Sequence, residues 1–204
     1  MGSKKALREQ MKTLRAELSA RDPDAGLALA ERFSMRLLER YGPEVAGYVP
    51  IKDEIDPRPL MARLEKAGAE LSLPRLGETD ALTFHRWSPG EPLEAGPLGL
   101  QQPCASAPDV TPTLVLCPVL AFDGLGTRLG YGKGHYDRTL KALRAAGRAF
   151  ACALAFHGQM REEVPREAHD EPLDWAATEA GPVPLFMMRN MGAISAARSA
   201  GSGR

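Results

Sequence analysis

The chain has 204 residues, of which 44% are hydrophobic and 25% charged, and its 26 basic residues balance its 26 acidic residues. This composition is typical of a globular protein of one domain and gives no reason to expect a nucleic-acid or membrane partner. The three cysteines lack C-x-x-C spacing, which argues against a disulfide framework or a zinc site and favours a reducing compartment. Because the sequence has neither an apolar run of about 18 residues nor a signal-peptide core, we expect a cytoplasmic protein.

Helical and extended patterns alternate along the first half of the chain. The first helix carries Leu7, Met11, Leu14 and Leu18 on one face, and Ser3 is a candidate cap. The further predictions are a helix over 27–40, a strand over 44–51, a helix over 58–68, and strands over 69–76 and 81–87.

The second half begins with a segment rich in proline and glycine, residues 88–112, for which we predict an extended loop with little regular structure. The remaining predictions are a strand over 113–122, a helix over 136–147, a strand over 149–156 and a short strand within 175–187. Strands that alternate with helices at this spacing indicate a three-layer α/β sandwich around a mainly parallel sheet. We expect one domain over residues 1–190 and a disordered tail over 191–204.

The stretch RLGYGKGHYD, residues 128–137, lies between the strongest predicted strand and a predicted helix. Ligands of open α/β sheets bind beyond the carboxyl ends of the strands, and alternating glycines allow backbone N–H groups to approach an anion. A P-loop is excluded, because Gly134 stands where that motif has Ser or Thr after the lysine. A dinucleotide-binding fingerprint is excluded too, since the spacing is G-x-G-x-G. The stretch is therefore a candidate phosphate-binding loop of another type.

Three charged positions can be interpreted in two ways from spacing alone. Asp137 is either a first-turn helix acid or a ligand of Mg²⁺ that faces phosphates. Lys4 and Arg8 are four residues apart and share a helix face, which is either a solvated basic surface or part of a binding site.

Several motifs, taken in order, resemble one family. The central stretch is similar to the signature R-L-G-x-G-x-G-[YF]-Y-D of 5-formyltetrahydrofolate cyclo-ligases, also called 5,10-methenyltetrahydrofolate synthetases, except at His135. KKALR, YVPIKDEID, ALAFHGQ and VPREAHDEPLD are similar to further blocks of that family. The resemblance covers residues 4–179, with Gln102 and Val119 as further departures from the usual pattern.

The resemblance implies a ligase that converts 5-formyltetrahydrofolate to 5,10-methenyltetrahydrofolate, with ATP as co-substrate and Mg²⁺ as cofactor, and releases ADP and phosphate. It also implies a fold related to sugar-phosphate isomerases and CoA transferases. ATP and the folate are the expected partners, and we expect a monomer.

The resemblance also assigns roles to individual residues. It implies catalytic roles for Arg128 and Lys133, and Mg²⁺ ligation by Asp137 and Asp170. The residues implied in ATP binding are Lys4, Arg8, Arg128, Leu129, Gly130, Tyr131, Gly132, Lys133, Gly134, His135 and Tyr136. Those implied in folate binding are Val49, Glu54, Tyr131, Gly132, Lys133, Gly134 and His135.

Two other functions stay open at this point. The chain could be a relative on the same fold with different chemistry, such as a sugar-phosphate isomerase or a CoA transferase, but these lack a basic N-terminal element like Lys4 and Arg8. It could also be a non-catalytic folate- or nucleotide-binding module, against which the joint presence of the charged residues argues. For His135 we hypothesise a replacement of a stacking aromatic side chain.

Overall fold

The computed structural model describes residues 4–185 apart from positions 78, 80 and 148. The predicted tail over 191–204 and the predicted cap Ser3 lie outside these residues. The α-helices are α1 Lys4–Arg21, α2 Ala25–Arg32, α3 Arg36–Tyr41, α4 Arg58–Lys66 and α5 His135–Ala146, with single 3₁₀ turns at Pro97–Gly99 and His157–Gln159.

The strands form one large sheet and two small ones. Their bounds are β1 Glu44–Ala46, β2 Glu70–Leu76, β3 Leu82–Arg86, β4 Leu93–Ala95, β5 Gln101–Pro103, β6 Asp109–Val110, β7 Leu114–Pro118, β8 Ala121–Asp123, β9 Arg128–Leu129, β10 Phe150–Leu154, β11 Met160–Arg161, β12 Trp175–Thr178 and β13 Gly181–Val183. The large sheet has the order β13-β12-β10-β7-β1-β2-β3-β6. Its five adjacent strands β12, β10, β7, β1 and β2 are parallel to one another. At the edges, β13 pairs antiparallel with β12, β3 with β2, and β6 with β3.

Helices cover both faces of the large sheet. Leu114 and Leu116 of β7 pack on the face that α2, α3 and α4 cover, whereas Val115 and Cys117 pack on the face that α5 covers. Since successive side chains of a strand point to opposite faces, a strand buried on both sides needs an unbroken apolar run. The prediction of a three-layer α/β sandwich around a mainly parallel sheet is therefore confirmed.

Helix α1 packs apart from these two layers, against the small sheet formed by β8, β9 and β11. Met11 is fully buried against Leu120, Ala121 and Leu129, with Leu7 and Leu14 beside it. This packing brings the N-terminal helix to the strand that precedes the glycine loop.

Several predicted elements differ from the structure. The strand predicted over 113–122 is two strands, β7 in the large sheet and β8 in a small one. The predicted helix over 27–40 is two helices, because Phe33 takes an extended backbone conformation and its side chain enters the core. The predicted loop over 88–112 contains β4, β5 and β6. Proline and glycine mark its turns, but β4 and β5 pair with each other and β6 pairs with β3, which local sequence does not reveal.

No helix in the part of the chain that the structure describes combines the length and apolar character needed to cross a bilayer.

Candidate active site

A cavity of about 560 Å³ opens at the carboxyl edge of the parallel strands. Its walls come from the segments that follow β1 and β9 and from the ends of β2 and β7. This is the edge at which open α/β sheets bind ligands, because loops from several strands converge there.

All residues to which the sequence assigned a role in the site line this one cavity. They are Lys4, Arg8, Val49, Glu54, Arg128, Leu129, Gly130, Tyr131, Gly132, Lys133, Gly134, His135, Tyr136, Asp137 and Asp170. Because they come from α1, the segment after β1, the glycine loop and the segment before β12, only the tertiary fold joins them.

The glycine loop, residues 130–134, turns sharply into α5. Gly132 has φ +97° and Gly134, at the start of the helix, has φ +70°, a conformation that side-chain-bearing residues rarely adopt. A Cβ at Gly132 would lie 3.1 Å from Arg8 Cζ, so the loop backbone approaches α1 closely. The loop therefore places backbone at the N-terminus of a 12-residue helix, where the helix dipole favours an anion.

Two basic residues of α1, Lys4 and Arg8, face the cavity. Arg8 Nε donates a 3.0 Å hydrogen bond to the carbonyl of Gly130. Lys4 Nζ lies 2.8 Å from Asp170 Oδ2 and 3.2 Å from Glu167 Oε1. These side chains therefore join α1 to the cavity wall, and their role in binding stays a prediction.

Arg128 and Asp137 form a partly buried ion pair at the start of α5. Arg128 Nη2 donates to Asp137 Oδ1 at 2.5 Å, and Nη1 donates to the carbonyl of Glu171. The backbone N–H of Glu171 donates back to Asp137 Oδ1 at 3.1 Å. Asp137 therefore holds Arg128 and the segment before β12 together, in addition to lying in the first helical turn.

Asp170 is the second carboxylate to which the resemblance gives a metal role. Burial by itself would raise the pKa of Asp170, but Lys4 and the backbone N–H of Glu167 lower it, and the net pKa lies below the ordinary value. Ligand atoms of Glu167, His169 and Asp170 lie within 4.8 Å of one another. Ionised carboxylate oxygens are the donors that Mg²⁺ prefers, so this part of the cavity fits the ion chemically.

Glu54 lies in the part of the wall that follows β1, with 8% of its surface exposed. Its Oε2 accepts a 3.0 Å hydrogen bond from the N–H of Ile51, whereas its Oε1 is buried without a hydrogen-bond partner among the described residues. Burial raises the pKa of Glu54 to about 7, against the lowering effects of the Ile51 N–H and of Arg15. Glu54 thus lines the cavity with one carboxylate oxygen that has no hydrogen-bond donor among the described residues.

Sequence reasoning missed an apolar part of the wall. Pro74 and Leu76 of β2, Leu82 of β3 and Leu100 line the cavity beside Val49. The alternation along β2 could have suggested an inward face, but Leu100 belongs to a segment without a periodic pattern. These residues give the cavity a predominantly apolar end, next to the polar end formed by the glycine loop.

The fold and the cavity define a class of protein: an α/β protein with a glycine loop at the carboxyl edge of a parallel sheet and an apolar pocket next to it. The chain belongs to the 5-formyltetrahydrofolate cyclo-ligase family, since the model of that family matches residues 1–179.

Curated relatives carry the same name. The 5-formyltetrahydrofolate cyclo-ligase of Haemophilus influenzae is 29% identical over 175 residues, which are 82% of this chain and 92% of the relative. That of Mycolicibacterium smegmatis is 34% identical over 158 residues, 71% of this chain and 78% of the relative. The predicted assignment to a family of ligases is therefore confirmed.

Solved structures agree with the fold. The 5,10-methenyltetrahydrofolate synthetase of Aquifex aeolicus superposes with a TM-score of 0.69 at 30% identity, over 89% of this chain and 92% of the other. The structure of the Mycoplasma pneumoniae synthetase also gives a TM-score of 0.69, at 20% identity, over 87% of this chain and 99% of the other, and shows the shared fold.

Proposed function

We propose that this protein converts 5-formyltetrahydrofolate to 5,10-methenyltetrahydrofolate and uses ATP to drive the ring closure. The observation that carries this proposal is the division of one cavity into two ends. The glycine loop with Lys4 and Arg8 forms a cationic end suited to phosphates, and Glu54 with the apolar wall forms an end suited to a flat heterocycle. A reaction in which a nucleotide transfers a phosphoryl group to a folate requires these two ends to lie side by side.

ATP would bind with its phosphates against the glycine loop. Backbone N–H groups of residues 130–134 and the start of α5 would contact the phosphate oxygens. Lys4, Arg8 and Lys133 would supply positive charge. His135 and Tyr136 would lie against the nucleotide, and Tyr136 also packs against the core on the α5 face. Phosphoryl transfer needs positioning and charge neutralisation more than covalent chemistry, which suits this set of side chains.

The folate would bind with its pterin N–H groups on the Glu54 carboxylate, because a carboxylate accepts two parallel hydrogen bonds from such a group. Val49 and the apolar wall would pack on the rings. This orientation would place the N5-formyl group towards Lys133 and the glycine loop.

The reaction would begin at the formyl oxygen, because amide resonance makes the formyl carbon a poor electrophile. Transfer of the γ-phosphoryl group forms an O–P bond to the formyl oxygen and breaks the bond to ADP. N10 then attacks the activated carbon, loses its proton, and the C–O bond breaks to release phosphate. Lys133 and Arg128 would stabilise the negative charge on the transferred group. Arg128 would do so while it stays paired with Asp137, whose carboxylate orients it.

Asp170 and Asp137 would hold Mg²⁺, which neutralises phosphate charge when bound. Each carboxylate is paired with a cation in the structure, Asp170 with Lys4 and Asp137 with Arg128. Lys4 and Arg128 would then also be placed beside the phosphate oxygens that the ion faces.

The test is a turnover assay with purified protein, 5-formyltetrahydrofolate, ATP and Mg²⁺, in which the absorbance of the methenyl product and the release of ADP are followed together. We expect both products in equal amounts and no product when ATP is omitted. ATP-independent product, or ATP hydrolysis without methenyl formation by the folded protein, would contradict the proposal. A non-catalytic module would bind the ligands and form no product.

A matched pair of lysine variants tests the role of the loop. Lys133→Met should lower kcat at least about 100-fold, because the charge it loses acts mainly on the transferred phosphoryl group. Lys141→Met changes an exposed lysine on α5 that lies outside the cavity wall and should leave kcat unchanged. Equal activities of the two variants would contradict a catalytic role for Lys133.

A further inference from the structure

Arg15 is among the largest fully buried side chains of the described protein, with 1% of its surface exposed. It lies on α1 behind the cavity wall, outside the set of residues that line the cavity. An arginine cannot lose its charge in a protein, so its burial costs free energy unless close partners compensate it.

Arg15 contacts two residues that line the cavity, Glu54 and Tyr131, and the chain neighbour of Glu54, Asp53. Its Nε donates to Asp53 Oδ2 at 2.8 Å, and its Nη1 lies 3.6 Å from Glu54 Oε1. Its Nη2 donates to the hydroxyl of Tyr131 at 2.5 Å, and its Cζ lies 5.5 Å from the centre of that ring. The guanidinium therefore connects the turn that follows β1 with the glycine loop.

The contacts use the planar fork of the guanidinium in separate directions. A fourth contact is with the carbonyl of Val119, which Nη1 approaches at 3.5 Å. A lysine ammonium would keep the charge but could not reach these groups together, because it is a single point donor on a flexible stem.

We propose that Arg15 is a positioning residue that fixes Tyr131 and Glu54 relative to each other and so shapes the folate-binding end of the cavity. This inference rests on the proposed function. Tyr131 is the most exposed member of the network, at 45%, and its hydroxyl is held from behind while its ring stays open to a ligand. Arg15 would act on the substrate only through these two side chains.

Arg15 also acts on the charge of Glu54. It lowers the pKa of that carboxyl, which burial raises, so loss of the guanidinium should raise the pKa of Glu54 further. Folate affinity that depends on the Glu54 carboxylate should then require a higher pH. The other titratable groups that face Glu54 are Asp53 and the phenols of Tyr48, Tyr131 and Tyr136.

The experiment measures the Kd of 5-formyltetrahydrofolate by calorimetry from pH 6 to 9, and KM and kcat at each pH, for Arg15→Gln and Arg15→Lys. We expect Arg15→Gln to raise Kd about tenfold and to move its pH midpoint upward, with a smaller change in kcat. Arg15→Lys should bring the pH midpoint back close to the wild-type value, because the charge is kept, but should leave Kd raised, because the hydrogen bonds to Asp53 and Tyr131 are not both restored. The control is Arg63→Met, which removes hydrogen bonds to Ala30 and Glu31 far from the cavity and should leave the pH profile unchanged.

A double-mutant cycle isolates the contact with the glycine loop. Tyr131→Phe should weaken folate binding in the wild-type background and have no further effect in Arg15→Gln, since the shared hydrogen bond is already lost. Should Arg15→Gln not fold, Tyr131→Phe and Asp53→Asn each remove one partner and should raise Kd about threefold.

The outcomes separate this inference from the proposed function. A wild-type protein that turns over folate, with Kd and pH midpoint unchanged in folded Arg15→Gln or in both single-partner variants, would overturn the positioning role alone. A wild-type protein that neither binds nor converts the folate would overturn both.

Discussion

Replacing Glu54 with Gln should stabilise the folded protein increasingly as the pH rises. The pKa of this buried carboxyl lies at about 7 in the fold, compared with an ordinary value of 4.5. Between these two values the folded state holds a proton that the unfolded state has released, so the free energy of unfolding falls as the pH rises through this window. Glutamine cannot ionise and escapes this loss.

The magnitude follows from the size of the pKa change. Each pKa unit corresponds to about 1.4 kcal/mol, so the change from 4.5 to about 7 gives roughly 3 kcal/mol by pH 8. Glutamine retains an oxygen that can accept the hydrogen bond from Ile51. The stability difference between Glu54→Gln and wild type should therefore be constant below about pH 4.5, shift towards the variant between about pH 4.5 and 7, and become constant again above that.

The assay is urea denaturation of both proteins at several pH values from 4.5 to 8.5, with Glu17→Gln as control. Glu17 is exposed on α1, and its carboxylate stays in water when the chain folds. A stability difference for Glu54→Gln that stays level across this range would refute the reasoning that burial governs the ionisation of Glu54. The same variant should bind 5-formyltetrahydrofolate more weakly at pH 8, because the carboxylate fork is lost.

Three further predictions concern the loop, the thiols and the metal. Gly132→Ala should lower ATP affinity and cost about 1 kcal/mol of stability, since φ is +97° and the new Cβ would lie 3.1 Å from Arg8 Cζ. ATP titration and denaturation measure the two effects. The control Gly77→Ala, whose Cβ would lie in open space, should change neither the affinity nor the stability. A thiol reagent whose reaction is followed by absorbance should modify only Cys104 in the native protein, because the other two cysteines are buried and have raised pKa values. After unfolding it should modify all three cysteines. Asp170→Asn should raise the Mg²⁺ concentration needed for half-maximal turnover about tenfold, in a magnesium titration.

These predictions have clear opposite outcomes. Unchanged ATP affinity in Gly132→Ala would argue against close backbone contact with the phosphates. Rapid modification of a second thiol would show that a strand of the sheet opens readily. Asp24→Asn, at the exposed N-cap of α2, is the control for Asp170→Asn, and an equal magnesium requirement in the two variants would argue against a ligand role.

The resemblance to the family named the residues of the candidate site, and the tertiary fold brings all of them to one cavity. Spacing alone left Lys4 and Arg8 as either a solvated face or a binding element. Their contacts with Asp170 and Gly130 are long-range, over 166 and 122 positions, and no local pattern encodes them. The role of Asp137 as the partner of Arg128 was likewise missed, because helix spacing describes only the first turn in which it lies.

Arg15 illustrates a further limit. It falls near the apolar face of α1, eleven positions after Lys4 and seven after Arg8, so its place on the same helix side was readable from the sequence. Its burial was not, because a charged residue in a helix is normally exposed. The oxygen atoms that allow a guanidinium to be buried there come from two segments that pack against α1 in the fold: the glycine loop, and the turn that follows β1.

The sequence by itself determined the α/β class, the unbroken apolar runs of the inner strands and the glycine loop before α5, because period and backbone conformation are local properties. The tertiary structure decided the break at Phe33, the strands within residues 88–112 and the apolar wall around Leu82 and Leu100. It also decided the raised pKa of Glu54, since burial is set by neighbours distant in the chain. The local sequence thus specifies the helices, strands and loop, whereas the surroundings that set the properties of each side chain form only when these elements pack together.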